Sequence, residues 1–363
     1  MKAWRVYGLG DMRLDDIPCP DLRPGWVIVK TRVVQPSVTE AQRALGIPTG
    51  GSDYIRKIIA ERAPVQLFGH EFCAEVVEVG EGVMGLQPGD RVAARSEVPC
   101  GQCELCRTGY GDRCRKGPII GRQIPGCLAE FAAMPSEALV KLPDSVSDSE
   151  GAWIQPLSSA VAAVASARLE MGDSVLVLGQ GAMGICALQV ARVAGAGLVI
   201  GADVRAQALE MARSLGADVT VNAGEDLADA EMLEATGGLG ADVVIEAAGG
   251  NPGQGLAGDR ALRRAFQLVK DGGRIVQIAY LGAPIEVAVD SLIRARGLKY
   301  LSADVPSVRL LEYAVRLVAS GRVQVKPLIT HVLKGLESVP AAFEITANKA
   351  KYGAAGPAQV HLC

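Results

Sequence analysis

The run from Val175 to Asp203 constrains this chain more than any other segment. "SVLVLG" is an apolar strand, "AMGICALQVARVAGA" follows with helical spacing, and "LVIGAD" is a second apolar strand. A glycine-rich turn joins the first strand to the helix: Gly179-Gln180-Gly181-Ala182-Met183-Gly184, the pattern GxGxxG. Each glycine has a separate reason. The first permits a tight turn, the second lets backbone approach a pyrophosphate, and the third allows close helix–strand packing. The helix N-terminus adds positive potential where phosphates would lie. Asp203 closes the second strand, where a carboxylate would accept hydrogen bonds from an adenine ribose. The spacing therefore predicts a dinucleotide site at Gly179, Gly181, Ala182, Met183 and Gly184. Asp203 repels a 2′-phosphate and favours NAD(H) over NADP(H), while Arg205 lies close enough to swing toward such a phosphate. The same run is apolar enough to suggest a membrane span. Gln180, Gln189, Arg192 and several glycines interrupt it, and a strand–helix–strand unit explains it better.

The rhythm continues through "AQALEMARSLGAD", "ADVVIEAAG", "RALRRAFQLVKDGG" and "RIVQIAY". Strands alternating with amphipathic helices predict an α/β fold with a doubly wound parallel sheet over residues 157–298. Residues 1–156 read differently. Short β-rich runs ("GWVIVKTRVV", "CAEVVEVG", "RVAARSE", "EFAAM", "ALVKL") separated by Gly, Pro and Asp predict a compact β-rich domain. Beyond 298 the pattern is mixed again, so residues 299–363 are expected to return to the first domain and complete it. A chain of 363 residues has room for both. Its net charge of −3, with no basic tract, argues against a nucleic-acid partner. Nine cysteines and a start without an apolar signal region point to a reducing, cytoplasmic setting and no membrane partner.

Four of those cysteines, Cys100, Cys103, Cys106 and Cys114, read Cys-x2-Cys-x2-Cys-x7-Cys. Thiolates at this spacing suit tetrahedral Zn²⁺ wrapped by a short knuckle. With every position filled by protein, such an ion is structural and leaves no open site for chemistry. Four ordinary buried cysteines, or two disulfides, are the alternatives.

Together these residues resemble the medium-chain dehydrogenase/reductase superfamily, in its zinc-dependent alcohol and polyol (sorbitol- and threonine-type) dehydrogenase branch. The resemblance runs over almost the whole chain: "GHEFCAEVVEVGEGV" (69–83), "GDRV" (89–92), the cysteine knuckle, "QPLSSAV" (155–161), the glycine turn and "DGGRIV" (271–276). It implies a GroES-like catalytic domain, a Rossmann NAD-binding domain with the active site in the cleft between them, a small-molecule substrate, and a homodimer or homotetramer. It also implies a second, catalytic zinc, held by a Cys in Cys-x-Ser/Thr-Asp, the His of Gly-His-Glu, and a Cys or Glu before the interdomain helix. This chain departs from that set. Ser37 stands where the Cys is expected in Ser37-Val38-Thr39-Glu40, and Gln155 occupies the last ligand position, while His70 and Glu71 remain. Neutral hydroxyl and amide oxygens rarely hold zinc.

The expectation is therefore a cleft of Ser37, Thr39, His70, Glu71 and Gln155 that receives the substrate oxygen but lacks tightly bound zinc in most molecules. Thr39 and His70 are its expected proton-handling groups. The leading reading is NAD(H)-dependent interconversion of a secondary alcohol and a ketone. A metal-independent reductase of an activated C=C bond and a silent NAD-binding protein are the alternatives. A helix is expected over Asp53–Arg62, with Tyr54, Ile58 and Ile59 on one side and basic residues on the rim. His331, His361, Cys73 and Cys127 read as structural.

Overall fold

The computed structural model describes residues 1–49, 51–250, 257–281 and 284–362. The chain divides into two units. Unit 1 comprises Met1–Ser158, Val305–Gly321 and Val325–Cys363; unit 2 comprises Ser159–Asp304 and Arg322–Gln324.

Unit 1 opens on an antiparallel hairpin of β1 (Lys2–Gly8) and β2 (Asp11–Asp16). Its main sheet is organised by β3 (Trp26–Gln35), whose sequence WVIVKTRVVQ buries most of its length. Helices α1 (Val38–Ala44) and α2 (Ser52–Arg62) separate β3 from β4 (Glu71–Val79). Then come β5 (Arg91–Ala94), the one-turn α3 (Glu104–Arg107), β6 (Phe131–Pro135) and β7 (Leu139–Lys141). Helices α4 (Asp148–Gly151) and α5 (Ile154–Ala167) follow.

In α2 the apolar face is not the expected one. Ile55 and Ile58, three residues apart, are buried, whereas Tyr54 is 43% exposed. Spacing of three and four puts Ile55, Ile58 and Ile59 on one stripe, and Tyr54 falls beside it.

Unit 2 alternates β8 (Ser174–Leu178), α6 (Ala182–Val193), β9 (Leu198–Asp203), α7 (Ala206–Ser214), β10 (Val219–Asn222), α8 (Ala228–Ala235), β11 (Ala241–Glu246), α9 (Arg260–Leu268), β12 (Val269–Gln277) and β13 (Lys299–Ser302). All neighbouring strands are parallel, in the order β10-β9-β8-β11-β12-β13. Leu176, Ile200, Val244 and Ile275 fill its core from the central strands. The strand order reverses between β8 and β11, and their carboxyl ends are where an open α/β sheet offers a ligand crevice.

The sequence reading ended this domain at 298, but the sheet takes in β13, with Arg274 opposite Lys299. As an edge strand of sequence KYLS with mostly exposed side chains, β13 lacks the apolar run that betrays a central strand. The helix α8 was equally faint, because only Ala228 and Met232 of its residues are buried.

The tail supplies α10 (Val308–Ala319), β14 (Val332–Lys334), α11 (Val339–Ala347), α12 (Lys349–Tyr352) and β15 (Gln359–His361). The unit 1 sheet then runs β14-β15-β3-β4-β5-β7, with β6 also paired to β3. Strand β15 lies antiparallel to β3, with Val360 opposite Val34. Among the described residues no helix is long and apolar enough to cross a membrane.

Candidate functional site

The unit 1 site grows from two local devices. The first is a turn before β4. Phe68 and Gly69 both have positive φ (68° and 77°), and a Cβ on Gly69 would lie 2.8 Å from the Leu128 nitrogen. Positive φ is costly for Phe68. The turn is pinned by hydrogen bonds from Phe68 N to Gly121 O (2.7 Å) and from Cys127 N to Gly69 O (2.9 Å). It delivers His70 to the start of β4.

The second device is the cap of α1. Ser37 is the N-cap: its Oγ accepts from Glu40 N (3.2 Å), and Ser37 N donates to Glu40 Oε2 (3.4 Å). This is a capping box, so the Ser37 hydroxyl is committed to the helix end. The other Glu40 oxygen, Oε1, lies 2.5 Å from His70 Nδ1. Glu40 is thus the partner of His70, and Glu71 Oε1 stands 4.0 Å from Nε2.

Burial alone would push the His70 pKa down. The Glu40 charge and hydrogen bond, helped by Glu71 and Glu97, overcome it and raise the value to about 9. Glu40 itself is held low: burial opposes ionisation, but the His70 charge and hydrogen bond outweigh it. Burial lifts the Glu71 pKa to about 7, against the His70 charge and a hydrogen bond from Gln35. That bond is Gln35 Nε2 to Glu71 Oε2 (2.8 Å), and Gln359 Nε2 on β15 donates in turn to Gln35 Oε1 (2.8 Å).

Gln155 is buried at the start of α5, its Nε2 directed at Ser96 Oγ (3.5 Å); Ser96 donates to Glu97 Oε2 (2.5 Å). Thr39 is half-buried on α1, and its hydroxyl makes no hydrogen bond to a described residue. The five expected residues thus divide: Ser37 and Gln155 carry structural bonds, and His70 holds the strongest ionic contact. Sequence reasoning missed Glu40, Glu97 and Gln35. For Glu40 a signal existed in the Ser-x-x-Glu spacing; Glu97 and Gln35 had none.

As a zinc site this set does not fit. Ser37 and Gln155 offer neutral oxygens that are engaged elsewhere, which leaves His70 Nε2 and Glu71 as the only strong donors of the set. Among the described residues, only the four cysteines bring three or more His, Cys, Asp or Glu ligand atoms together.

Those cysteines do fit. Their sulfurs lie within 4.8 Å of one another, with Cys103–Cys106 at 3.5 Å and Cys103–Cys114 at 3.8 Å. Zn–S bonds of about 2.3 Å in a tetrahedron put sulfurs about 3.8 Å apart. Backbone N–H groups point at the sulfurs, from Cys100 to Cys114 and from Cys103 to Cys100 (both 3.3 Å). The Cys100 N–H lowers the Cys114 pKa to about 6, whereas burial and the neighbouring thiols push Cys106 up to about 12. By contrast Cys73 and Cys127 are buried, and burial raises both thiol pKa values.

In unit 2 the glycine turn has the geometry a pyrophosphate needs. Gly179 has φ 91°, and a Cβ there would lie 2.7 Å from Ala248 Cβ. A Cβ on Gly184 would lie 1.8 Å from Gly179 O, whereas one on Gly181 would meet nothing within 4 Å. Two glycines are thus demanded by packing, and the third faces open space at the N-cap of α6. Asp203 lies at the end of β9; its Oδ2 accepts from Gln180 N (2.7 Å) and its Oδ1 from Arg205 N (2.9 Å) and Arg205 Nε (3.0 Å). Burial would raise its pKa, but these bonds and the Arg205 charge hold it low. The beginning of α6 places Ala182 and Met183 beside the turn. Glu246 ends β11, fully buried; its Oε1 accepts from Ala248 N and Gly249 N, and its Oε2 has no hydrogen-bond partner among the described residues. Burial outweighs those two bonds and lifts its pKa to about 7.

Comparison with known proteins agrees with this geometry. Residues 23–144 match the family described as "Alcohol dehydrogenase GroES-like domain", and residues 182–320 match "Zinc-binding dehydrogenase". The chain is 32% identical over 346 residues to an L-threonine 3-dehydrogenase of Pyrococcus abyssi, covering 95% of this chain and 94% of that protein. It is 36% identical over 293 residues to a probable D-xylulose reductase A of Neosartorya fischeri, covering 78% of each. A putative zinc-binding dehydrogenase of Sinorhizobium meliloti, solved bound to NADP, superposes with a TM-score of 0.84 at 26% identity, covering 99% of each chain. Two domains, a cysteine knuckle and a dinucleotide turn in this arrangement, with relatives of this kind, make the chain a medium-chain dehydrogenase/reductase of the zinc-type alcohol and polyol branch, and an oxidoreductase.

Proposed function

We propose that the protein interconverts a secondary alcohol and a ketone with NAD(H), and that His70 and Glu40 handle the proton without a second zinc. The observation that carries this reading is the 2.5 Å contact between His70 Nδ1 and Glu40. A proton fixed on Nδ1 leaves Nε2 as the atom that gives or takes a proton at the substrate oxygen. When bound, the nicotinamide supplies or accepts the hydride. Gly179, Gly181, Ala182, Met183 and Gly184 receive the pyrophosphate, and Asp203 accepts from the adenine ribose, with Arg205 bracing its carboxylate. Thr39, half-buried on α1 one residue before Glu40, is the second proton-carrying group. Cys100, Cys103, Cys106 and Cys114 hold a structural zinc.

In ketone reduction, His70 donates from its imidazolium to the developing alkoxide; in alcohol oxidation it accepts as neutral imidazole. Positioned general acid–base catalysis of this kind contributes about 10²–10⁴ in rate. The test pairs metal content per chain with turnover on polyols, hydroxy acids and secondary alcohols. We expect one zinc per chain, and His70→Ala to lower kcat about 100-fold or more. A stoichiometric second zinc bound through His70, or full activity in a Thr39→Ala, His70→Ala double variant, would overturn the assignment.

Reduction of an activated C=C bond is the second reading, favoured by the commitment of Ser37 to its helix cap. Product analysis separates the two. Assembly as a homo-oligomer belongs to the same proposal; β13 ends the sheet with one edge unpaired among the described residues, and solution mass tests it. A cytoplasmic setting is supported by the eight described cysteines, none of them in a disulfide among the described residues.

A further inference from the structure

Within unit 1 a cleft of about 350 Å³ opens between β1, the end of α2 and the turn after Gly121. Its ten lining residues include three arginines, Arg5, Arg62 and Arg122, two glutamines, Gln66 and Gln123, and no acid. Arg5 is held in place: its Nη2 donates to Pro64 O (2.5 Å), and the nearest carboxylate, Asp15, lies 3.8 Å from Nη1. Arg122 stands over the Tyr54 ring at 5.9 Å, and Gln123 Nε2 donates to the Tyr54 hydroxyl. Neither Arg62 nor Arg122 has a carboxylate partner among the described residues. The other charged side chains of α2 are mostly neutralised locally, Arg56 by Asp53 and Lys57 by Glu61.

Three guanidiniums around one concave surface repel one another, and nothing in its lining offsets that repulsion. Guanidinium forks match the oxygens of carboxylates and phosphates, and the two glutamine amides add neutral donors. Asp15, outside the lining, pairs with Arg5 and offsets one of the three charges, while Arg62 and Arg122 have no carboxylate partner among the described residues.

We infer that this cleft binds the oxyanion end of a small molecule, a phosphate or a carboxylate. Its walls are close in sequence to the His70 site. Arg62 to Gln66 run into Phe68, Gly69 and His70. Arg122 follows Gly121, where a Cβ would lie 3.2 Å from Glu40 Oε1. An anion seated here is thus positioned to belong to a substrate's charged end or to a separate effector.

The experiment is calorimetric titration of the full chain with inorganic phosphate and, separately, with malonate. It needs no turnover, so it stands or falls apart from the proposed reaction. The variants are Arg62→Ala, which removes an exposed, unpartnered side chain, and Arg62→Ala combined with Arg122→Ala. NADH binding by each serves as the check of folding. We expect saturable binding of at least one anion by wild type, weakened at least threefold in the single variant and at least tenfold in the double. Competition by that anion against the carbonyl substrate marks the substrate's charged end; binding without competition marks an effector, and either supports the cleft as an anion site. Absence of binding by wild type, or equal affinity in a double variant that still binds NADH, overturns it.

Discussion

Gly184 and Gly181, three residues apart in one turn, should fail in opposite ways when each becomes alanine. At Gly184 the added Cβ would sit 1.8 Å from the Gly179 carbonyl oxygen, where ordinary contact begins near 3.4 Å. Both atoms are fixed to backbone, so α6 must retreat from β8 by roughly 1 Å or more, and no rotamer relieves it. Overpacking of this kind costs about 3 kcal/mol, a fall in Tm of roughly 6–12 °C for a unit of this size. At Gly181 the Cβ meets nothing, and the backbone (φ −78°) suits any residue. Losing a glycine N-cap to alanine costs no more than about 1 kcal/mol. The methyl group does stand where the pyrophosphate must approach, so NADH affinity should drop at least tenfold, about 1.4 kcal/mol. Thermal unfolding with and without NADH, plus calorimetric titration, reads both effects. Unchanged NADH affinity in Gly181→Ala, or a Gly184→Ala protein melting within about 2 °C of wild type, would refute this account of the turn.

Four other outcomes are expected. Cys106→Ser should reduce zinc from one per chain to a trace by elemental analysis and expose residues 100–114 to protease, while NADH affinity is unchanged. Asp203→Ala should weaken NAD(H) relative to NADP(H) at least tenfold, because it removes the ribose acceptor and releases Arg205 together. For the proton step the sign follows from a raised His70 pKa: ketone reduction should fade as pH rises through about 9, and alcohol oxidation should rise over the same range. Glu40→Gln removes the charge that holds the pKa up, so both limbs should move toward the ordinary value of 6.5 or below in pH–rate profiles. The raised pKa of Glu246 works against stability: the folded state keeps its proton where the unfolded chain releases it. The contribution of Glu246 to stability is therefore greatest below pH 4.5 and falls until about pH 7, by about 3 kcal/mol in all. In Glu246→Gln that decline should vanish, so its Tm advantage over wild type should grow across this window and then level.

The features legible in the sequence are those carried by adjacent residues. The glycine turn and the cysteine knuckle each fit into fifteen residues or fewer, so spacing alone reports their geometry. The His70–Glu40 pair spans thirty residues and depends on a turn with two positive φ angles, one of them at Phe68, which no propensity announces. Ser37 was measured against a missing thiolate, and that comparison hid the Ser-x-x-Glu cap it forms with Glu40. Strand β13 escaped because an edge strand needs no apolar run, and the arginine cleft because β1, α2 and the 122–125 turn meet only in three dimensions.

The placement of β15 beside β3 carries a consequence for how the molecule is made. A nascent chain has the whole parallel sheet of unit 2 once Ser302 is available, yet β3, paired with β6 over Trp26–Lys30, still lacks the neighbour that covers its far end. Until Gln359–His361 have emerged, Val33 and Val34 present open backbone to any strand nearby, in a chain long enough to meet others like itself. Gln359 then also fastens Gln35, and through it Glu71, so a strand synthesised long after β3 is the one that locks this network. Synthesis from the N-terminus thus finishes the sheet of unit 2 early and leaves the sheet of unit 1 waiting for β15.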